Sequence, residues 1–402
     1  MSQSRILSGM RPTGKLHLGH YHGVLKNWVE LQDNHDCFFF VADWHALTTH
    51  YDAPDTMGEH VWDMVIDWLA AGVDPEKANC FIQSSVPEHA ELHLLLSMIT
   101  PLGWLERVPS FKDQQAKLKD KDLSTYGFLG YPLLQSADIL MYRAEGVPVG
   151  EDQVPHVELT REIARRFNHM FGRGKLFDLS VESALGKMGK KARKSYNRLR
   201  QTYLRDGSDT AYQQALSLIS EQQNLSQQNK EDLKAYIADK GRIILPEPNA
   251  LLTRSAKMPG LDGQKMSKSY GNTIALRDDP VRVEKAIRSM PTDPARVRRT
   301  DPGDPEKCPV WSLHQTYTDE KIHEWVKHEC PAAGIGCVDC KQPLIDAVLA
   351  EQALIRERAE PYEKDKARLI KVIEQGNERA REVAQQTMSQ VRDSVGTHYD
   401  EL

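Results

Sequence analysis

Arg11-Pro12-Thr13-Gly14-Lys15-Leu16-His17-Leu18-Gly19-His20 follows a short apolar run, Ile6-Leu7-Ser8-Gly9, and opens an amphipathic one over residues 21–31. The apolar run predicts a buried strand, Pro12 and Gly14 a turn, and the amphipathic stretch a helix. His17 and His20 then fall on neighbouring positions of a first helical turn. Gly19 leaves room for a flat base or sugar to approach the backbone. Helix N-termini favour anions, so a phosphate chain is the natural guest. Two imidazoles there can donate hydrogen bonds to phosphoryl oxygens as charge builds in a transition state.

Working outward, Cys37-Phe38-Phe39-Phe40-Val41-Ala42-Asp43 predicts a second strand and Cys80-Phe81-Ile82-Gln83 a third. Between them, over 55–71, Val61, Met64, Val65, Trp68 and Leu69 recur at helical spacing, with Asp55 and Thr56 as caps and Gly72 as the stop. Strands alternating with helices predict an α/β fold, a doubly wound parallel (Rossmann-like) sheet whose ligands sit beyond the carboxyl ends of its strands.

A chain of 402 residues exceeds one comfortable core. The first part of the nucleotide-binding domain is expected over 1–182 and a basic, polar helical insertion over 183–246. The domain should resume over 247–280, and a helical C-terminal domain follow over 281–402, with a break at Pro361. The insertion opens with Lys187, Lys190, Lys191, Arg193, Lys194, Arg198, Arg200 and Arg205 and no acidic residue among them. That run reads either as a solvated face or as a face for tRNA. With a formal net charge of −5 the chain has no global pull on nucleic acid, so any RNA must meet a local basic face. No apolar run approaches the roughly 20 residues that cross a bilayer, and the first residues lack a signal-peptide core. The expectation is a cytoplasmic protein without a membrane partner.

A second motif lies far along the chain: Lys265-Met266-Ser267-Lys268-Ser269, after Asp262-Gly263-Gln264 and before Gly271. Two lysines three apart on a small flexible loop can clamp a pyrophosphate and neutralise its charge as it leaves. His17-Leu18-Gly19-His20 resembles the HIGH signature, and the second motif reads KMSKS letter for letter, in the order and setting of class I aminoacyl-tRNA synthetases. A finer resemblance, over residues 3 to about 180 and 250 to 400, is to tryptophanyl-tRNA synthetases. It rests on Ser8-Gly9-Met10-Arg11-Pro12-Thr13-Gly14, Asp43-Trp44-His45-Ala46-Leu47-Thr48, Gln83-Ser84-Ser85-Val86-Pro87 and Val147-Pro148-Val149-Gly150-Glu151-Asp152-Gln153.

The resemblance implies ATP with Mg2+, tryptophan and tRNA(Trp) as substrates, and a homodimer. It implies that His17, His20, Thr13, Lys265 and Lys268 act on the phosphates. Arg11, Gly19, Gly150, Asp152, Met266 and Ser267 complete the ATP site, and Lys112 is a further ATP or tRNA contact. Leu7, His45, Tyr131, Gln135, Asp138 and Gln153 seat the amino acid, with Asp138 accepting the indole N–H. The chemistry fits, because indole is a flat apolar body with a single donor. Tyrosyl enzymes share Gln135 and Asp138, so a tyrosine–tRNA ligase stands as the rival reading. Leu7, where tyrosyl enzymes typically carry a tyrosine, and Gly150-Glu151-Asp152-Gln153 favour tryptophan. A rival of another class is a metal-stabilised RNA-binding protein without catalysis, which leaves His17, His20 and the second motif unexplained.

Four of the six cysteines lie in one stretch, spaced Cys308-x21-Cys330-x6-Cys337-x2-Cys340. Four thiolates can close a tetrahedral Zn2+ site or hold a [4Fe-4S] cluster. The spacing resembles that of a bacterial subtype of tryptophanyl-tRNA synthetases bearing an iron–sulfur cluster, which implies [4Fe-4S], with Zn2+ as the alternative.

Overall fold

A computed structural model describes residues 3–51, 54–109, 124–252 and 258–399. Lys112 lies outside the described residues. Five strands form one sheet: β1 (Arg5–Met10), β2 (Asp36–Val41), β3 (Ala78–Ile82), β4 (Gly146–Val149) and β5 (Asn249–Leu252). Their order is β3-β2-β1-β4-β5, and every pairing is parallel. The winding reverses between β1 and β4, which creates the crevice where such sheets bind ligands. The doubly wound fold expected from the sequence is the fold observed.

The strand sequences explain the layering. Along β2, side chains alternate between faces. Cys37, Phe39 and Val41 join a core with Trp28, Met64 and Trp68. Phe38 and Phe40 join the opposite core with Leu7, Phe81, Val147 and Val149. With both faces covered, β2 reads as a continuous apolar run. Trp28 stacks on Phe39 at 4.2 Å and meets Trp68 edge-on at 5.1 Å. The helix carrying Trp68, Met57–Ala71, ends at Gly72 in the left-handed region (φ 111°), as expected. Its start differs. Pro54–Thr56 form a 3-10 turn that leads into the helix, and Thr56 sits in helical geometry without a side-chain cap.

The helices Lys175–Lys187, Lys190–Asp206, Asp209–Ser220 and Gln227–Ile237 enclose a separate core that includes Phe177, Tyr196, Leu199, Ile219 and Leu233. It begins at Phe177, ahead of the compositional shift at 183, because the first of these helices still has an ordinary composition. The chain closes with the long helices Cys337–Lys364 and Lys366–Val395. Pro361 does not break the first. The helix runs on past it to Lys364, and the break comes at Asp365, whose carboxylate caps Arg368 N–H of the next helix at 3.2 Å. Among the described residues no helix is long and apolar enough to cross a membrane.

The last helix seals the sheet. β3 is an edge strand, and its exposed backbone needs partners. Asn377 Oδ1 accepts from Ile82 N–H at 2.9 Å, and Asn79 Nδ2 donates to the Gly376 carbonyl at 3.1 Å. The approach requires glycine: a Cβ at Gly376 would stand 1.8 Å from the Cys80 carbonyl oxygen. Gly376→Ala is therefore expected to lower unfolding stability by about 1–3 kcal/mol, as overpacking against backbone does. A denaturant midpoint equal to that of the unmodified protein would contradict this close approach.

Candidate active site

A cleft of about 380 Å3 opens at the carboxyl ends of β1, β2 and β4. One end is built by the first motif. His17 is the N-cap of a short helix, Leu18–His20: its Nδ1 accepts from Gly19 N–H, and His20 Nδ1 accepts from His17 N–H, both at 3.2 Å. Burial and, next, the charge of Lys268 pull His17 down to about 4. Burial also lowers His20 well below its ordinary value, with His17, Lys268 and Lys265 adding to it. Both imidazoles are neutral at neutral pH, and with Nδ1 accepting, each carries its proton on Nε2. They act as oriented N–H donors. Gly19 serves this arrangement: a Cβ there would crowd the His17 ring at 3.0 Å. Beside that ring, Gly19 also faces Met258. Beyond His20 the helix widens into a π turn over Tyr21–Leu25, a distortion common at functional sites.

The second motif docks on the first. Lys268 Nζ donates to the carbonyls of Thr13 at 3.2 Å and Gly14 at 2.8 Å. Gly14 holds φ 101°, a conformation other residues rarely adopt, and this turn presents both carbonyls. Burial brings the Lys268 ammonium down to about 8, against the opposing pull of Asp67. Lys265 is exposed, Met266 is buried and Ser267 is half-buried. Leu18 N–H to Ile274 O and Leu276 N–H to Leu16 O, each 3.0 Å, stitch the following segment to the first motif.

The other end of the cleft is built around Asp138. Asp138 is fully buried in the helix Tyr126–Met141. Its carboxylate accepts from His89 Nδ1 at 2.6 Å, from His45 Nε2 at 2.8 Å, and from Gln83 Nε2 at 2.8 and 3.0 Å. Burial works against its charge, but the hydrogen bonds from His45 and His89 prevail and hold it below the usual carboxylate range. The sequence predicted a lone acceptor. The structure shows one already supplied with donors, because a buried charge needs them. Of the three donors, only His45 lines the cleft. Leu7, Tyr131, Gln135, Gly150 and Gln153 line it too, as does Arg11. Asp152 stands exposed on the turn Glu151–Gln153, taking a long bond of 3.4 Å from Gln153 Nε2.

Four residues of this end escaped the sequence reading as site residues. Gln83 and His89 hold Asp138, Tyr142 OH pairs with His89 Nε2 at 2.8 Å, and His156 Nδ1 pairs with Gln135 Oε1 at 2.7 Å. Gln83 lay inside a quoted motif. The others carry no local signal, because their partners are distant in sequence.

The four clustered cysteines border one small cavity with Arg296 and Lys341. Arg296 Nη1 points at Cys330 Sγ from 3.7 Å, and a Cβ at Gly303 would stand 2.6 Å from that sulfur. Burial and, after it, the three other thiols push Cys340 up to about 12. Among the described residues, however, no group of three or more His, Cys, Asp or Glu side chains is arranged to hold a metal ion. The ligand types, two cations and the room are gathered at this one place.

Comparison with known proteins agrees with this geometry. The chain matches the family described as tRNA synthetases class I (W and Y) over residues 1–235 and 227–351. It is 62% identical to a tryptophan–tRNA ligase of Ralstonia nicotianae, over 99% of this chain and 100% of that one. It is 46% identical to one from Thermotoga maritima, over 96% and 98%. Among solved structures, the tryptophanyl-tRNA synthetase of Campylobacter jejuni complexed with ADP and tryptophan superposes with a TM-score of 0.74 at 28% identity, over 98% and 99% of the two chains. A sheet with its crevice at the β1/β4 reversal, two motifs docked at one end and a buried carboxylate at the other thus place this chain in the tryptophan–tRNA ligases of the class I tRNA synthetase family.

Proposed function

We propose that the cleft activates tryptophan with ATP and that the chain then loads it onto tRNA(Trp). What carries this reading is one cleft lined both by the phosphate motif, through Arg11 and His20, and by an ionised carboxylate that shares its end with Leu7, Phe40 and Ile139. A tryptophan carboxylate oxygen attacks the α-phosphorus of ATP, the bond to the bridging oxygen breaks, and pyrophosphate leaves with its Mg2+. The 2′- or 3′-hydroxyl of the terminal tRNA ribose then attacks the acyl carbon, and AMP departs. No protein nucleophile is needed, so the side chains position and stabilise charge. His17, His20 and Thr13 face the phosphates. Lys265, Met266, Ser267 and Lys268 hold the leaving pyrophosphate, while Gly150 and Asp152 take the ribose. Leu7, Tyr131, Gln135 and Gln153 seat the amino acid. The indole N–H binds Asp138 on the side that His45 occupies.

A site built around a buried acceptor rejects phenylalanine, which has no donor to offer it, and Leu7 gives a tyrosine phenol no partner on the first strand. Pyrophosphate exchange into ATP should depend on tryptophan and show little response to phenylalanine or tyrosine. Exchange driven by tyrosine would keep the fold and chemistry but overturn the reading of Leu7 and Asp138.

The Lys268 ammonium must be charged to neutralise pyrophosphate, and its folded value of about 8 lies below its ordinary one. Its cation is thus complete below pH 8 and lost above it. The kcat/KM for ATP should fall as pH rises through about 8, and Lys268→Arg, whose guanidinium stays charged, should lose that alkaline limb. An unchanged limb in the arginine variant would assign it to another group.

Four thiols, two cations and one cavity suit a group that binds thiolates. We assign the site to a [4Fe-4S] cluster that pins the 308–340 segment near the anticodon, on the strength of the spacing. Anaerobically purified protein should contain about four irons and four sulfides per chain, and stoichiometric zinc with no sulfide would refute the assignment. The family resemblance further supports a cytoplasmic homodimer.

A further inference from the structure

The helix Lys190–Asp206 carries cations its own fold does not use. Its apolar side is set by Tyr196 and Leu199, which are buried in the separate core of the four helices 175–237. On the opposite side, by 3.6-residue periodicity, Lys190, Lys191, Lys194, Arg198 and Arg205 form one stripe. All five are exposed. Of these, Arg205 pairs with Asp206. The side chains of Lys190, Lys191, Lys194 and Arg198 form no ion pair among the described residues. Arg200 is different, since it turns inward to bond Tyr236 O at 2.8 Å and Asp239 at 3.0 Å.

For a helix this arrangement is unfavourable twice over. Lys190 and Lys191 occupy a first turn without an acidic residue, where the backbone dipole repels cations. Lys190, Lys194 and Arg198 stand four apart, where like charges destabilise a helix. A surface kept only for solubility has no need to stack one sign along a single line in a chain whose net charge is −5. A polyanion laid along the stripe would relieve both penalties. From Lys190 to Arg205 the stripe runs about 22 Å, at about 1.5 Å per residue, long enough to meet several consecutive phosphates of an RNA backbone.

We propose that this stripe binds the phosphate backbone of the tRNA substrate, at a place separate from the cleft and from the cysteine-bearing segment. The proposal rests on the ligase reading above for the identity of its RNA. Backbone contacts position an RNA without reading its bases. The stripe therefore contributes affinity and orientation, and recognition of the particular tRNA lies elsewhere.

The test is the variant Lys190→Gln/Lys191→Gln/Lys194→Gln/Arg198→Gln in the full chain. Glutamine keeps good helix propensity, and removing the repulsion leaves the helix at least as stable, so failure to fold is not the expected result. Binding of the tRNA(Trp) transcript should weaken at least tenfold at low salt. The slope of log affinity against log salt should become shallower by about 0.7–0.9 for each phosphate that the variant no longer neutralises. Tryptophan-dependent pyrophosphate exchange, which needs no tRNA, should stay unchanged. Unaltered tRNA affinity and an unaltered salt slope would overturn the proposal. Absence of exchange in the unmodified protein would instead count against the ligase reading. A second variant, Arg200→Gln, on the inward side, should leave the salt slope intact, and an equal change there would reduce the stripe to a general effect of charge.

Discussion

Asp67 is the joint on which the site depends. Its carboxylate is almost wholly buried, accepting from Leu16 N–H at 3.1 Å and from Arg277 Nε at 2.6 Å. Burial pushes it up to about 6 even though Arg277 opposes that rise. Arg277 continues to Asp63 at 2.7 Å and to Glu363 on the helix Cys337–Lys364. Leu16 belongs to the first motif, and Arg277 lies just beyond the second. One buried ion pair thus registers both phosphate motifs against the helix Met57–Ala71 and fastens the C-terminal helices to the same point. Breaking such a pair from one side strands a charge and costs about 3–5 kcal/mol. It is an expensive way to hold two loops together, but a hydrophobic contact would not fix their register as closely. Lys268, for instance, must reach the Thr13 and Gly14 carbonyls.

The same logic divides the cleft by charge state. At the phosphate end, burial and neighbouring cations keep His17 and His20 neutral, and their backbone bonds fix the tautomer. An imidazolium there would attract any anion, whereas a neutral, oriented N–H acts most on an oxygen whose charge has become concentrated. At the amino-acid end, His45, His89 and Gln83 keep Asp138 charged against its burial. The cleft therefore holds neutral imidazoles where a nitrogen base might be expected to charge, and a carboxylate where burial would neutralise it. Burial with neighbouring cations decides the first, and hydrogen-bond supply the second.

What the sequence disclosed follows from where the information lies. β1, β2 and β3 were legible because a strand buried on both faces is a continuous apolar run, and the helix after Pro54 because Val61, Met64, Val65, Trp68 and Leu69 keep one period. β4, Gly146-Val147-Pro148-Val149, and β5, Asn249-Ala250-Leu251-Leu252, are four residues each, and glycine, proline and asparagine obscure them. Their partners lie far along the chain, and a Cβ at Gly146 would strike Ile6 and Leu251. The site divided the same way. His17, His20, Lys268, His45 and Asp138 were legible as chemistry. Their companions were not. The need of Asp138 for donors is predictable once it is known to be buried, but His89 and Gln83 are 49 and 55 residues away, beyond any local period. Gly19 shows another case, with the residue legible and its packing against the His17 ring visible only in the fold.

The docking of Lys268 shows how positioning and charge can be separated. Its ammonium donates to the two neutral carbonyls of Thr13 and Gly14, held by a turn that the left-handed φ of Gly14 permits. Those bonds set where the ammonium stands. Bonds to an ionised acceptor are roughly twice as strong as neutral ones. An arriving phosphate can thus recruit the ammonium from its carbonyls without a search through side-chain conformations. Its lowered basicity has the same origin, since the group has already left bulk water. The cost of desolvating the charge falls on folding rather than on catalysis, and the buried Asp67 nearby partly offsets it. A lysine on an open loop would meet that cost at each turnover.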